Sequence, residues 1–174
     1  MKNKILIAST ILMLAAKAAL GADDTTNELY RANEFSVDMF GSASIGKYTI
    51  NNLSRARVQA NTRLGAGLGV NYFITRNLGL SADAYSESLA STFVDSASAN
   101  LTLRLPLGQS GFAPYVYGGG GHQADPARFW FAQVGAGMEY RFCPNWAMFL
   151  DARWVIPEQT KYYGVARLGM RFAF

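Results

Sequence analysis

The stretch Tyr162–Phe174, YYGVARLGMRFAF, decides how this chain reads. Taken with a period of two, it puts Tyr162, Gly164, Ala166, Leu168, Met170, Phe172 and Phe174 on one side. Tyr163, Val165, Arg167, Gly169, Arg171 and Ala173 fall on the other. Successive side chains of a strand point to opposite faces. One face is therefore uncharged and ends in aromatics, while the other carries two arginines. A strand that crosses a bilayer in a barrel alternates in this way, apolar toward lipid and polar toward the lumen. Ending on Phe174 with no polar tail fits the same expectation, because the termini of soluble domains usually fray into water.

The alternation recurs upstream. Phe35, Val37, Met39, Gly41 and Ala43 oppose Ser36, Asp38, Phe40 and Ser42, before a polar loop at Ile45–Asn61. Leu64, Ala66, Leu68, Val70, Tyr72 and Ile74 follow, then a tight turn at Thr75–Asn77. Leu78, Leu80, Ala82 and Ala84 oppose Ser81, Asp83 and Tyr85. Ala97, Ala99, Leu101, Leu103 and Leu105 alternate with Ser96, Ser98, Asn100, Thr102 and Arg104, ahead of the Gly/Pro-rich turn Pro106–Gly111. Ala113, Tyr115 and Tyr117 open a fifth strand that gives way to Gly118–Gly121 and a polar loop, His122–Arg128. Trp130, Ala132, Val134, Ala136, Met138, Tyr140 and Phe142 line the sixth, which ends in a turn at Cys143–Asn145. Met148, Leu150, Ala152 and Trp154 line the seventh. Eight strands result, each near the roughly 9–11 residues that a tilted strand needs to cross a bilayer. Short turns alternate with longer loops, as in outer-membrane barrels. Backbone in hydrocarbon must be fully paired, so the expected fold is a closed antiparallel eight-stranded transmembrane β-barrel, an up-and-down meander over 34–174.

A soluble barrel of lipocalin type would alternate too, with its charges outside. Here Asp38, Arg63, Asp83, Arg104, Glu139, Arg141, Asp151, Arg153, Arg167 and Arg171 all share the faces opposite the apolar ones. That distribution belongs to a barrel whose exterior meets lipid.

The N-terminus agrees with export. Met1–Lys4 is basic, Ile5–Ala16 is apolar, and Ala19-Leu20-Gly21 offers small residues for cleavage, so residues 1–21 are expected to be a signal peptide. The apolar run is shorter than the roughly 20 residues of a spanning helix. Residues 22–33 are expected to be a short periplasmic leader. The chain holds 16 basic and 12 acidic residues, net +4. Losing Lys2, Lys4 and Lys17 lowers the basic count by three to 13, a net +1, so the sequence pI of 9.3 overstates the mature basicity. No clustered basic face argues for nucleic acid. The single cysteine, Cys143, excludes an internal disulfide.

Three runs carry a family resemblance: Gly65–Phe73 (GAGLGVNYF), Ala113–Gly119 (APYVYGG) and Gly135–Phe142 (GAGMEYRF), together with the terminal strand closed by Phe174. The chain resembles the small eight-stranded outer-membrane barrels, the OmpA-type transmembrane domain and its OmpX-like relatives, over essentially the whole mature length. The resemblance implies a bacterial outer membrane, contact with membrane lipid and lipopolysaccharide, and a monomer. It also implies that Phe172 and Phe174 form a signal read by the barrel-assembly machinery. OmpA itself continues into a peptidoglycan-binding domain, which this sequence lacks, so a cell-wall tether is not implied.

Candidate chemistry is sparse. Gly41–Tyr48 (GSASIGKY) nearly spells a phosphate-binding loop, but Tyr48 stands where Ser or Thr should hold the metal. His122 is the only histidine. Some barrels of this size act on lipid A with a His and a Ser, but the deacylase pattern wants Ser two residues on, where Ala124 stands; Ser86, Ser88 and Ser91 are the alternatives. No enzyme activity and no cofactor are expected. Six arginines against four carboxylates point into the lumen, and side chains can fill a barrel of eight strands. Buried charge is costly unless paired, so a plug of salt bridges is expected over a narrow anion-preferring pore. Lys47, Tyr48, Arg55 and Arg57 in the first loop and His122, Asp125 and Arg128 in the third are the surface-binding candidates, for lipopolysaccharide phosphates or a host ligand. The expected role is structural or interactive at the cell surface.

Overall fold

The computed structural model describes residues 29–47, 61–87, 94–108, 110–125, 128–158 and 162–174, with Lys47 and Asn61 described by backbone alone. Eight strands form one closed antiparallel meander: β1 (Glu34–Lys47), β2 (Asn61–Phe73), β3 (Leu78–Ser86), β4 (Ser96–Arg104), β5 (Phe112–Gln123), β6 (Phe129–Cys143), β7 (Trp146–Pro157) and β8 (Tyr163–Ala173). β8 closes on β1 in an unbroken register from Ser36↔Ala173 to Ile45↔Gly164. Closure leaves no strand edge unpaired, which is what makes a β structure viable in hydrocarbon.

The packing is inside-out. β7 alternates exposed and buried at every residue. Leu64, Trp130 and Leu150 are 75%, 63% and 58% exposed, whereas Arg104 and Glu139 are wholly buried. The outward faces have the phase expected from sequence in the strands other than β5, where Ala113, Tyr115 and Tyr117 turn into the lumen and Phe112 and Val116 face out. The start of β1 and the end of β8 share one end of the barrel with the short connections β2–β3, β4–β5 and β6–β7; we call it the turn end, and the other the loop end.

Three boundaries differ from the sequence reading. β5 runs through Gly118–Gly121 to Gln123, so His122 is a strand residue and not a loop residue. The glycine run is held by ladders on both sides, Gly120 facing Ala99 of β4 and Ala132 of β6. Two paired neighbours override a poor strand propensity. Its inward positions also need the missing side chains: a Cβ at Gly119 would stand 2.7 Å from the Asn100 amide oxygen. Lys47 likewise ends β1 instead of lying in the first loop, and Cys143 ends β6, leaving Pro144 and Asn145 as the turn. Tyr48, Arg55, Arg57, Ser88 and Ser91, and the proposed signal peptide 1–21, lie outside the described residues.

Candidate functional site in the barrel lumen

Among the described residues, two ionic clusters stand in the lumen, one above the other. At the turn end, Glu34 of β1 meets two arginines. Arg141 donates to it from Nη1 and Nη2 at 2.7 and 2.6 Å, and Arg104 from Nη1 at 3.0 Å. Glu139 accepts from Arg141 Nε at 2.8 Å, lies 3.7 Å from Arg104, and pairs with Arg171. Arg171 also donates from Nε and Nη2 to Asp38, both at 2.8 Å. Three guanidinium groups thus meet three carboxylates, Glu34, Glu139 and Asp38, with no net charge.

The middle cluster is again neutral. Asp151 and Arg167 face each other in the β7–β8 register. Arg167 donates to Asp151 from Nε and Nη2 at 2.9 and 2.8 Å and reaches Asp83 at 3.2 Å; Arg153 donates to Asp83 at 3.0 Å. The tyrosines Tyr115 and Tyr117 add their hydroxyls to Asp151 at 2.7 and 3.0 Å. Rings fill the space between the layers: Phe40, Tyr85, Tyr115, Tyr117 and Phe149 form one buried cluster, with Arg167 4.9 Å from the Phe40 centroid and Arg171 5.3 Å from that of Phe149. A guanidinium against a ring face keeps attraction where water is excluded.

Toward the loop end, the Asn100 amide donates to Asp83 and Gln133 donates to Asn100 and Ser98. Above them Phe129, Phe131, Val155, Tyr163 and Val165 form a second apolar cluster. Glu87 accepts a hydrogen bond from Ser44, and its backbone N–H donates to Asp95 at 2.6 Å. Arg63 stands opposite Ser44 in the register, half-buried near this end.

The turn end is closed by the chain itself. The described end of the expected leader folds back into the mouth, and Tyr30 is 1% exposed. Its ring packs against Arg104 and Arg141, 4.6 and 4.5 Å from their guanidinium carbons, and its hydroxyl donates to the Gly111 carbonyl at 2.6 Å. Burial, with the nearby Glu139 carboxylate, pushes the phenol well above its ordinary pKa, so it stays a donor.

The structure brings nine of the ten charged lumen candidates into the two clusters and leaves Arg63 nearer the rim. Glu34 and Tyr30 escaped the sequence reading. Glu34 has the same parity as Ser36 and Asp38, a signal lost because it sits at the strand's first residue. Tyr30 gave no periodic signal at all. Of the surface candidates, His122 packs edge-on against Trp130 on the outer wall, centroids 4.9 Å apart. Asp125 is half-buried and Arg128 exposed beyond β5. Ser86 on β3 gives its hydroxyl to Asp95 at 3.3 Å, with β4 between it and the His122 strand. At the turn end, Phe172 packs on Trp146 with centroids 4.3 Å apart, and Phe174 stacks on Phe35.

The family model for the outer membrane protein β-barrel domain matches residues 6–157. The chain belongs to that family. β8 lies beyond the matched segment, yet it completes the cylinder by pairing with β7 and β1. No curated protein matches. Among solved structures, the N-terminal β-barrel domain of Pseudomonas aeruginosa OprF is similar with a TM-score of 0.63 at 20% identity, over 83% of this chain and 99% of that one. OprG from the same organism is similar with a TM-score of 0.58 at 10% identity, over 83% and 97%. Ail of Yersinia pestis, in a complex with the heparin analogue sucrose octasulfate, has a TM-score of 0.52 at 14% identity, over 82% and 99%. At these identities the likeness is one of fold. Membership of the family places this barrel in the bacterial outer membrane; short turns are the periplasmic side of such barrels and longer loops the outer side.

Proposed function

We propose that this family member is a closed outer-membrane barrel that anchors surface loops, with a structural and interactive role in the envelope and no transport through its lumen. The observation that carries the reading is the neutrality of both ionic clusters. Arg104, Arg141 and Arg171 are matched by Glu34, Glu139 and Asp38, and Arg153 and Arg167 by Asp83 and Asp151. The excess of arginine that suggested an anion-preferring pore disappears once Glu34 joins the set and Arg63 moves to the rim. A neutral, hydrogen-bonded stack offers a passing anion no net fixed charge.

Single-channel recording of the refolded chain in a planar bilayer tests this. Folding is confirmed first by heat-dependent gel mobility. A silent bilayer is the expected result. Discrete anion-preferring steps from folded protein would replace this reading with a pore.

The interactive part rests on the basic residues Lys47, Arg55, Arg57 and Arg128, supported by the Ail complex, in which a barrel of this fold meets a polysulfated ligand. A lipid A-modifying enzyme is the weakest reading. His122 packs on Trp130 at the outer wall, and Ala124 stands in place of the deacylase serine.

A further inference from the structure

The periplasmic mouth is built around one side chain. Phe73, Arg104, Tyr30 and Arg141 pack together: the Arg104 guanidinium carbon lies 3.6 Å from the Phe73 centroid and 4.6 Å from that of Tyr30, and the Arg141 guanidinium carbon lies 4.5 Å from the Tyr30 centroid. The only non-glycine residue with positive φ among those described, Asn33 at +54°, reverses the chain so that Leu29–Arg31 re-enter the barrel. That conformation is uncommon outside glycine, and asparagine tolerates it better than most residues. Tyr72 fixes the reversal by donating its hydroxyl to the Asn33 side chain at 3.2 Å. Arg141 donates to the Leu29 carbonyl, and the Arg31 N–H donates to Glu34 at 3.3 Å. The Tyr30 hydroxyl then crosses the mouth to Gly111, in the turn between β4 and β5.

We propose that Arg104, Arg141, Phe73 and the Gly111 carbonyl form a site for a phenol, occupied in the resting protein by Tyr30, and that residues 29–33 are a latch that shuts the periplasmic end by filling it. Both arginines of the site are also the counter-ions of Glu34 and Glu139. Withdrawing the ring would open the lower cluster to water on the side the ring now covers, and would leave two guanidinium faces bare. The latch belongs to no strand and packs inside the ring that β1 and β8 close. The chemistry of the site is general: any planar ring with a hydroxyl at its tip meets two guanidinium groups within 5 Å of its centre and a carbonyl at the end.

Chemical rescue tests this on the refolded chain. Tyr30→Ala removes the ring and leaves a cavity lined by the site, and the expected result is a fall of about 5 °C or more in the midpoint of the heat-dependent mobility shift. Added p-cresol is expected to return at least half of that loss in Tyr30→Ala. It should leave wild type and the exposed-site variant Tyr162→Ala unmoved, and toluene, lacking the hydroxyl, should do less than p-cresol. If Tyr30→Ala fails to fold alone, refolding in p-cresol is expected to recover the shifted band. Tyr30→Phe, which keeps the ring, should fold, lose only part of the midpoint and gain nothing from p-cresol. An unchanged midpoint in Tyr30→Ala would overturn the latch. A fall that p-cresol does not repair, or a chain that p-cresol does not help to fold, would overturn the phenol site.

Discussion

Asp151 shows what a single residue does in this interior. It accepts four hydrogen bonds, two from Arg167 and one each from Tyr115 and Tyr117. Removing one partner of a buried ion pair leaves the other charge uncompensated and costs about 3–5 kcal/mol, whereas replacing both with apolar groups of similar volume is often close to neutral. Asp151→Ala is therefore expected to destabilise the barrel by about that much, read as a lower urea midpoint for the gel shift. Asp151→Leu with Arg167→Met is expected to recover most of the loss, because Asp83 and Arg153 remain as a balanced pair. A double variant no better than the single one would mean that Asp151 acts through packing and not charge. At this scale the sequence was informative where alternation reached. Parity alone places Asp151 and Arg167 on the inner face. Tyr30 was invisible because its position depends on a left-handed Asn33 and on arginines more than 70 residues away, neither of which has a local signature.

Strands carry a second kind of information, in the glycines of the inner wall. Gly137 on β6 faces inward opposite Asp151 of β7, and a Cβ there would stand 2.7 Å from the Tyr115 ring carbon that bears the hydroxyl and would collide with the Asp151 Cβ. Both neighbours are committed to the middle cluster and cannot move away cheaply. Gly118 on β5 faces the membrane, and a Cβ there would meet only the Gln133 carbonyl, at 3.7 Å. Gly137→Ala is thus expected to cost about 1–3 kcal/mol by overpacking, while Gly118→Ala stays within about 0.5 kcal/mol. Parallel urea titrations of the two variants check this, and equal midpoints would rule out the close-packed wall. The elements and most of their faces were legible because a period of two persists across the strands other than β5. The course of β5 through Gly118–Gly121 was not, since glycine's weak strand preference says nothing of ladders that β4 and β6 supply from outside.

For the whole molecule, the neutral interior moves the question of function to the outward end. A barrel packed with buried side chains at several levels is a rigid mount, and loops held by rigid scaffolds are where binding concentrates. The arginines between β1 and β2 act locally and not through a global field, because charges at physiological salt are screened beyond about 8 Å. Each basic residue held close to an anionic membrane surface contributes about 1 kcal/mol, so two together give roughly 25-fold in affinity. Arg55→Ser with Arg57→Ser is accordingly expected to weaken binding of the folded protein to lipid A vesicles by roughly that factor at low salt, and raising the salt should shrink the difference. The gel shift of the double variant should match wild type, since neither position belongs to the described barrel wall. Vesicle flotation at two salt concentrations measures both effects. Unchanged binding would remove lipid A phosphates as the target of this loop and turn attention to Arg128 and the β5–β6 connection. A loss that persists at high salt would show that the arginines act by shaped hydrogen bonding to one ligand and not by attraction to a charged surface.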